Sequence, residues 1–490
     1  MSRFSAPCIL GGFLAALLAS SAQAAINVST DPTQNMSCSG GVCTATAQKA
    51  YLNVNDVTNM LAAGDLKIAT AAGAQDIHIQ APFSWTSTRR LTLDAQRSIE
   101  FQKPVTVAGT GALTLITNDG GTGGDYWFDP GASVSFWDTS SSLIINGQSF
   151  TLVKDIKTLA SVITKNSKGN YALASSYDAS ADGAYKHAVV TATLTGAFDG
   201  LGNAISNFWI RKDNRAKDLN IGLFAQLGTG GAIRNAVLTN PYITADADNE
   251  NVGALVAYSH GGSIAHSTIT SGSVSGGYNA QSNVVGGLVG RSDASSVVIS
   301  SGSAASAYGG YGARVGGLVG YNSGTISGSF ATGSAGAQIE AYTGGLVGLS
   351  DGSIDSSFAT GAISAGGILW AARPGAEVSS ERDMQQTPMP RGKFRGVTIP
   401  LSVGWLEKAA LQTVTQQERS LAAFRPHSVG WSLWRMPGSP LPLRQGTFKA
   451  RIARRREALS ATKRVPAQSK TLTLPFCSAQ MWRLRPTVTI

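Results

Sequence analysis

Charged residues are scarce in this chain, at 14% of 490, and it holds only 5 His, 7 Met and 4 Cys. So few cysteines exclude a small scaffold stapled by disulfides. The histidines (His78, His187, His260, His266, His427) are scattered with no H-E-x-x-H pair, and no P-loop occurs, so no familiar metal or nucleotide centre is spelled out. After the first two dozen residues no apolar run reaches transmembrane length. Prolines are rare over residues 1–365, where only 6 of the 17 lie, while glycine is abundant at 57.

What is present is a repeat. Gly286-Gly287-Leu288-Val289-Gly290 and Gly316-Gly317-Leu318-Val319-Gly320 are identical, and Gly344-Gly345-Leu346-Val347-Gly348 follows. Gly253-Ala254-Leu255-Val256-Ala257 and Gly222-Leu223-Phe224-Ala225 are weaker copies. Positions 222, 254, 287, 317 and 345 lie 32, 33, 30 and 28 residues apart, a period of solenoid length. A second apolar run begins at Ile233, Ile264, Val298, Ile326 and Ile354, so each period is expected to hold two short strands. The Gly/Ser/Thr-rich connections disfavour helix. One repeat cannot bury its apolar side alone, so the copies must stack. The expected fold is all-β, a right-handed parallel β-helix, with about 25 residues per coil. Both members of each Leu-Val pair can point inward only where the chain bends at the flanking glycines.

This repeat resembles the GLUG motif of bacterial surface and secreted proteins, including filamentous-haemagglutinin-like adhesins. Asn170 to Leu173, Tyr177 to Ala179 and Gly196 to Phe208 resemble the stretch that precedes such repeats, and Trp85 to Ser87 with Leu91 to Ala95 resembles a β-helical body. The resemblance covers roughly residues 38–365. It includes no secretion-domain signature of two-partner export, and nothing after residue 365 matches.

Arg3, the apolar run Ile9 to Leu18 and Ala22-Gln23-Ala24 read as a secretory signal peptide cut before Ala25. The domains expected are therefore a signal peptide over 1–24, an upstream β-helical region over 25–215, repeats over 216–365 and a tail over 366–490. The tail carries 20 of the 39 Lys+Arg and 6 of the 29 Asp+Glu, whereas the first 365 residues hold 19 against 23. The net charge of +10 thus belongs to the tail and does not make the repeat body a nucleic-acid binder. With 11 prolines, 5 of the 9 tryptophans and no period, the tail reads as out-of-frame translation of further repeats. The other readings are a disordered basic anchor and a nucleic-acid arm, which the signal peptide opposes.

In an oxidising compartment Cys38 and Cys43, bracketing Ser39-Gly40-Gly41-Val42, are expected to form a disulfide. Gly120 to Phe128 fits a calcium nonapeptide, but that motif acts by stacking copies and here stands alone, so a glycine-rich corner is expected. Asp246, Asp248, Asn249 and Glu250 read as a solvated acidic loop. Gly348-Leu349-Ser350-Asp351-Gly352 satisfies G-x-S-x-G, yet it lies between expected strands rather than at a strand-to-helix elbow. No catalytic residue, metal site or cofactor is assigned. The expected function is a secreted or cell-surface adhesin-like protein of a bacterium, whose partners are a host or neighbouring-cell surface, matrix or glycan, with an outer-membrane export partner. The alternative is an extracellular polysaccharide lyase or hydrolase.

Overall fold

A computed structural model describes residues 24–212 and 219–365. The chain divides into two compact units, Met1–Val397 and Thr398–Ile490, and every described residue lies in the first. The expected signal peptide before residue 24 and the tail from residue 366 lie outside the described residues. The first strand, Ala25–Ser29, begins at the expected cleavage point.

The described chain is a parallel β-helix. Residues 76–145 wind with three strands per coil. Asp76–Ile79, Phe83–Trp85 and Arg90–Asp94 stack on Ile99–Phe101, Val105–Val107 and Ala112–Ile116. Tyr126–Phe128, Val134–Phe136 and Ser142–Ile145 follow. Period-2 alternation orients these strands: Phe83 and Trp85 are buried while Ser84 is exposed, and Leu91 and Leu93 are buried on either side of half-buried Thr92.

After a reversal through Asn146-Gly147 into Gln148–Val153, the coil widens. Each repeat then carries five strands rather than the two expected. Asn251–Gly253, Val256–Ser259, Ser263–Ala265, Thr268–Ile269 and Ser273–Ser275 make one such coil. The difference has a simple cause: several strands have two or three residues, too few to show alternation in sequence. Val256, Val289, Val319 and Val347 pair in register at separations of 33, 30 and 28 residues, longer than the 25 expected. The ladder containing Ala197–Asp199, Ala232–Arg234 and Ser263–Ala265 also runs back to Asn170–Leu173 without a break near residue 215.

The Gly-Leu-Val-Gly segment wraps a corner. Gly287 and Leu288 lie between the strands Val284–Gly286 and Val289–Ser292, and this bend lets Leu288 and Val289 both be fully buried. Hydrogen bonding continues around the corner, with the Leu288 amide donating to the Leu318 carbonyl (2.9 Å) and the Leu318 amide to Leu346 (2.9 Å). A Cβ on Gly320 would stand 2.7 Å from the Gly290 carbonyl oxygen, so close approach of coils requires glycine there.

Two helices interrupt the strands, α1 (Val54–Ala63) and α2 (Ile156–Lys165). Asp155 caps α2 by accepting from the Thr158 amide at 2.6 Å, and Ile156, Leu159 and Ile163 form its buried stripe. The apolar interior has two parts. One holds Ile26 through Leu152 together with Ala172, Ala174 and Leu201, and the other runs from Val153 to Ala359 and includes the stripe of α2.

Candidate functional site

The repeat stack sorts residues into inward and outward columns. In the ladder of Trp209–Arg211, Tyr242–Thr244, Ser273–Ser275 and Ser306–Gly309, the central Ile210, Ile243, Val274 and Ala307 are buried. Their neighbours Trp209, Tyr242, Ser273 and Ser306 therefore form an outward column. Trp209 is 40% and Tyr242 53% exposed, with rings edge to face at 6.1 Å. In the loop leaving the next coil, Tyr278 is 67% exposed and lies parallel to Tyr308 at 6.5 Å. Side chains on this flank bond from coil to coil: Ser334 to Ser306 (3.0 Å), Thr239 to Thr270 (3.0 Å) and Asn240 Nδ2 to Asn207 Oδ1 (2.9 Å). The result is an ordered surface of hydroxyls and amides with aromatic rings set in it.

A second polar group sits where three-strand coils give way to five-strand coils. Asp125, at the entry to Tyr126–Phe128, is ion-paired with Arg234 and bonded to His266 Nε2 at 3.2 Å. Arg234 also lies over the Tyr126 ring at 4.9 Å, and His266 stacks on Trp127 at 6.1 Å. Burial alone would raise the Asp125 carboxyl, but hydrogen bonds from His266 and Arg234 outweigh it and hold it at about 2. Arg234 is pushed up by the same pairing against the opposing effect of burial. Asp199 has the opposite environment. Burial raises its carboxyl, although it accepts from Tyr126 Oη (2.5 Å) and the Leu201 amide (2.7 Å). The cluster ties residues 109 and 141 positions apart, and so fastens the upstream coils to the repeats.

Cys38 and Cys43 face each other across the hairpin of Met36–Ser39 and Val42–Ala45 and are joined by a disulfide. Gly40 and Gly41 both have positive φ, as the two-residue turn requires. In the glycine-rich segment Gly120 to Phe128, the carboxylate Asp125 is engaged by Arg234 and His266. The acidic run near residue 248 is not simply solvated. Glu250 is fully buried, ion-paired with Lys212, and accepts from the Ala247 amide at 3.0 Å. Burial pushes its carboxyl up against the pull of Lys212. Ser350 ends the strand Val347–Ser350 and accepts from Asn322 Nδ2 at 3.2 Å. His260 and His266 do not converge, since the chain bends at His260 and Gly261 and each ring meets different partners. Among the described residues, no three His, Cys, Asp or Glu side chains are grouped to hold a metal ion.

Sequence reasoning missed two arrangements. One is a buried serine ladder, in which the amides of Ala236, Ser267, Ser301 and Ser329 donate to the hydroxyls of Ser267, Ser301, Ser329 and Ser357 at 3.0–3.2 Å. Its signal is a Ser three residues after Ile264, Val298, Ile326 and Ile354. The other is the Asp125 cluster, whose members no spacing rule connects.

Over 195 residues the chain is 33% identical to Halomucin of Haloquadratum walsbyi (strain DSM 16790 / HBSQ001). That similarity covers 39% of this chain and 2% of Halomucin, so the chain spans only a small fraction of that relative's length. No family model and no solved structure matches.

Proposed function

We propose that this chain is a secreted or cell-surface binding protein of a bacterium, adhesin-like and non-enzymatic, whose β-helix presents repeated contact surfaces to a neighbouring cell, matrix or glycan. The carrying observation is the outward flank of Ser, Thr and Asn side chains bonded coil to coil, with Trp209, Tyr242 and Tyr278 exposed among them. Such a flank is fixed before any ligand arrives, so little side-chain ordering opposes binding. The Gly-Leu-Val-Gly repeats, with their resemblance to GLUG-motif adhesins, and the signal-like first 24 residues support the same reading. The test is binding of the purified full chain to immobilised glycans, matrix proteins and whole cells. Absence of binding in all three formats defeats the proposal.

A second reading, a polysaccharide hydrolase or lyase, is favoured by one observation: Asp125 and Asp199 have carboxyls pushed in opposite directions within one cluster. Rings and hydroxyls on the flank serve a glycan contact under both readings, and only bond cleavage separates them. Release of oligosaccharide by the wild-type chain, abolished in Asp125→Asn, would establish the enzyme.

A further inference from the structure

We propose that the strip formed by Trp209, Tyr242, Tyr278, Tyr311 and Ile339 binds a neutral polysaccharide laid across successive coils, an inference that rests on the binding-protein reading and names its ligand class. These five residues occur one per coil, on one ladder or in the loops that leave it. Beyond residue 200, eight large apolar side chains are exposed among the described residues, and five of them belong to this strip. Exposed apolar groups gathered on one face, rather than scattered singly, mark an interaction surface.

The chemistry points to sugar. Aromatic faces pack against the C–H faces of pyranose rings, while phenol and serine hydroxyls bond their equatorial oxygens. Ser306 and Ser334, already bonded to each other, stand in the same outward column as Trp209 and Tyr242. Coils repeat about every 4.8 Å, close to the advance of one sugar ring along an extended chain. Each ring of the polymer can therefore meet an equivalent coil.

Charge selects among polysaccharides. Residues 212–219, which follow Arg211 in sequence, include Lys212, Arg215 and Lys217, and Lys212 is paired with Glu250. From Tyr242 onward the ladder and the loops leaving it carry no Lys or Arg, whereas Asp246, Asp248 and Glu340 lie in those loops. Along that stretch a sulfated or uronate-rich polymer would be repelled, and an uncharged one would not.

The test uses the full chain with cellohexaose, xylohexaose and mannohexaose, with heparin as the polyanion. At least one neutral hexasaccharide should bind by calorimetry and shift tryptophan fluorescence, with affinity unchanged in about 0.5 M salt. Tyr278→Ala should weaken binding about tenfold and the double variant Trp209→Ala/Tyr242→Ala about a hundredfold, with circular dichroism and melting unchanged. Heparin should not compete. Failure of all three hexasaccharides, unaltered affinity in the double variant, or competition by heparin would each overturn the inference. Cell or matrix binding that survives in the double variant would overturn this strip and leave the binding-protein reading standing. A wild-type chain that binds neither cells, matrix nor glycan would defeat both.

Discussion

Leu318 shows how much one residue carries in a stacked fold. Its side chain is fully buried at a coil corner, its amide donates to Leu346 and its carbonyl accepts from Leu288. Leu318→Asp places an unpaired charge in the apolar interior and should cost more than about 4 kcal/mol. Chemical denaturation measures this, and an unchanged midpoint would remove Leu318 from the core. The Leu-Val pairs were legible in sequence as core elements, including the need for a bend at the glycines. Asp125 was not legible, because Arg234 and His266 reach it only through coil stacking. Its pH behaviour follows from its low carboxyl. The folded value is about 2 against an ordinary 3.8, so the stabilisation is complete above pH ~4 and disappears as pH falls through 2. Asp125→Asn should remove that part of the acid dependence, giving a flatter denaturation midpoint between pH 5 and 2 than wild type.

At the scale of elements, the serine ladder joins five coils through four hydroxyls. The Ser301 hydroxyl accepts from the Ser267 amide and donates to the Ile299 carbonyl at 2.8 Å. Ser301→Ala leaves a buried amide without its partner and should cost about 1–3 kcal/mol, whereas alanine already stands at the equivalent Ala236. Thermal unfolding of the two-coil comparison, Ser301→Ala against Ser267→Ala, would show whether position in the ladder matters. The hairpin disulfide closes so short a loop that its removal in Cys38→Ser/Cys43→Ser should cost only about 2 kcal/mol, measured by urea denaturation. Helices α1 and α2 went unread although both carry an i, i+3, i+7 apolar stripe, Val54, Val57, Leu61 and Ile156, Leu159, Ile163. Their length of ten residues is marginal for a helix alone, and packing against strands completes them.

For the body as a whole, stability is a chain of nearest-neighbour terms. Two apolar interiors share one continuous ladder, so loosening should spread from a damaged coil outward rather than everywhere at once. Hydrogen exchange of the full Leu318→Asp chain should show lost protection first over residues 284–350, with residues 76–145 still protected. Uniform loss over both regions would contradict the stacked-unit picture. The fold class was legible because the repeat recurs at solenoid spacing. Coil cross-section was not, since two-residue strands leave no alternation to read.

The uneven period has a further consequence, for insertion and inheritance. Strand pairing fixes the register of every coil, so the slack among 33, 30 and 28 residues lies in the loops. One such loop has eight residues over 276–283 but four over 310–313 and 338–341. A segment added there lengthens one coil without displacing its neighbours, while one added within 314–322 shifts the rest of that coil against both adjacent ladders. Lineages that duplicate whole coils and vary these loops can therefore alter what Tyr278, Tyr311 and Ile339 present while the interior stays unchanged.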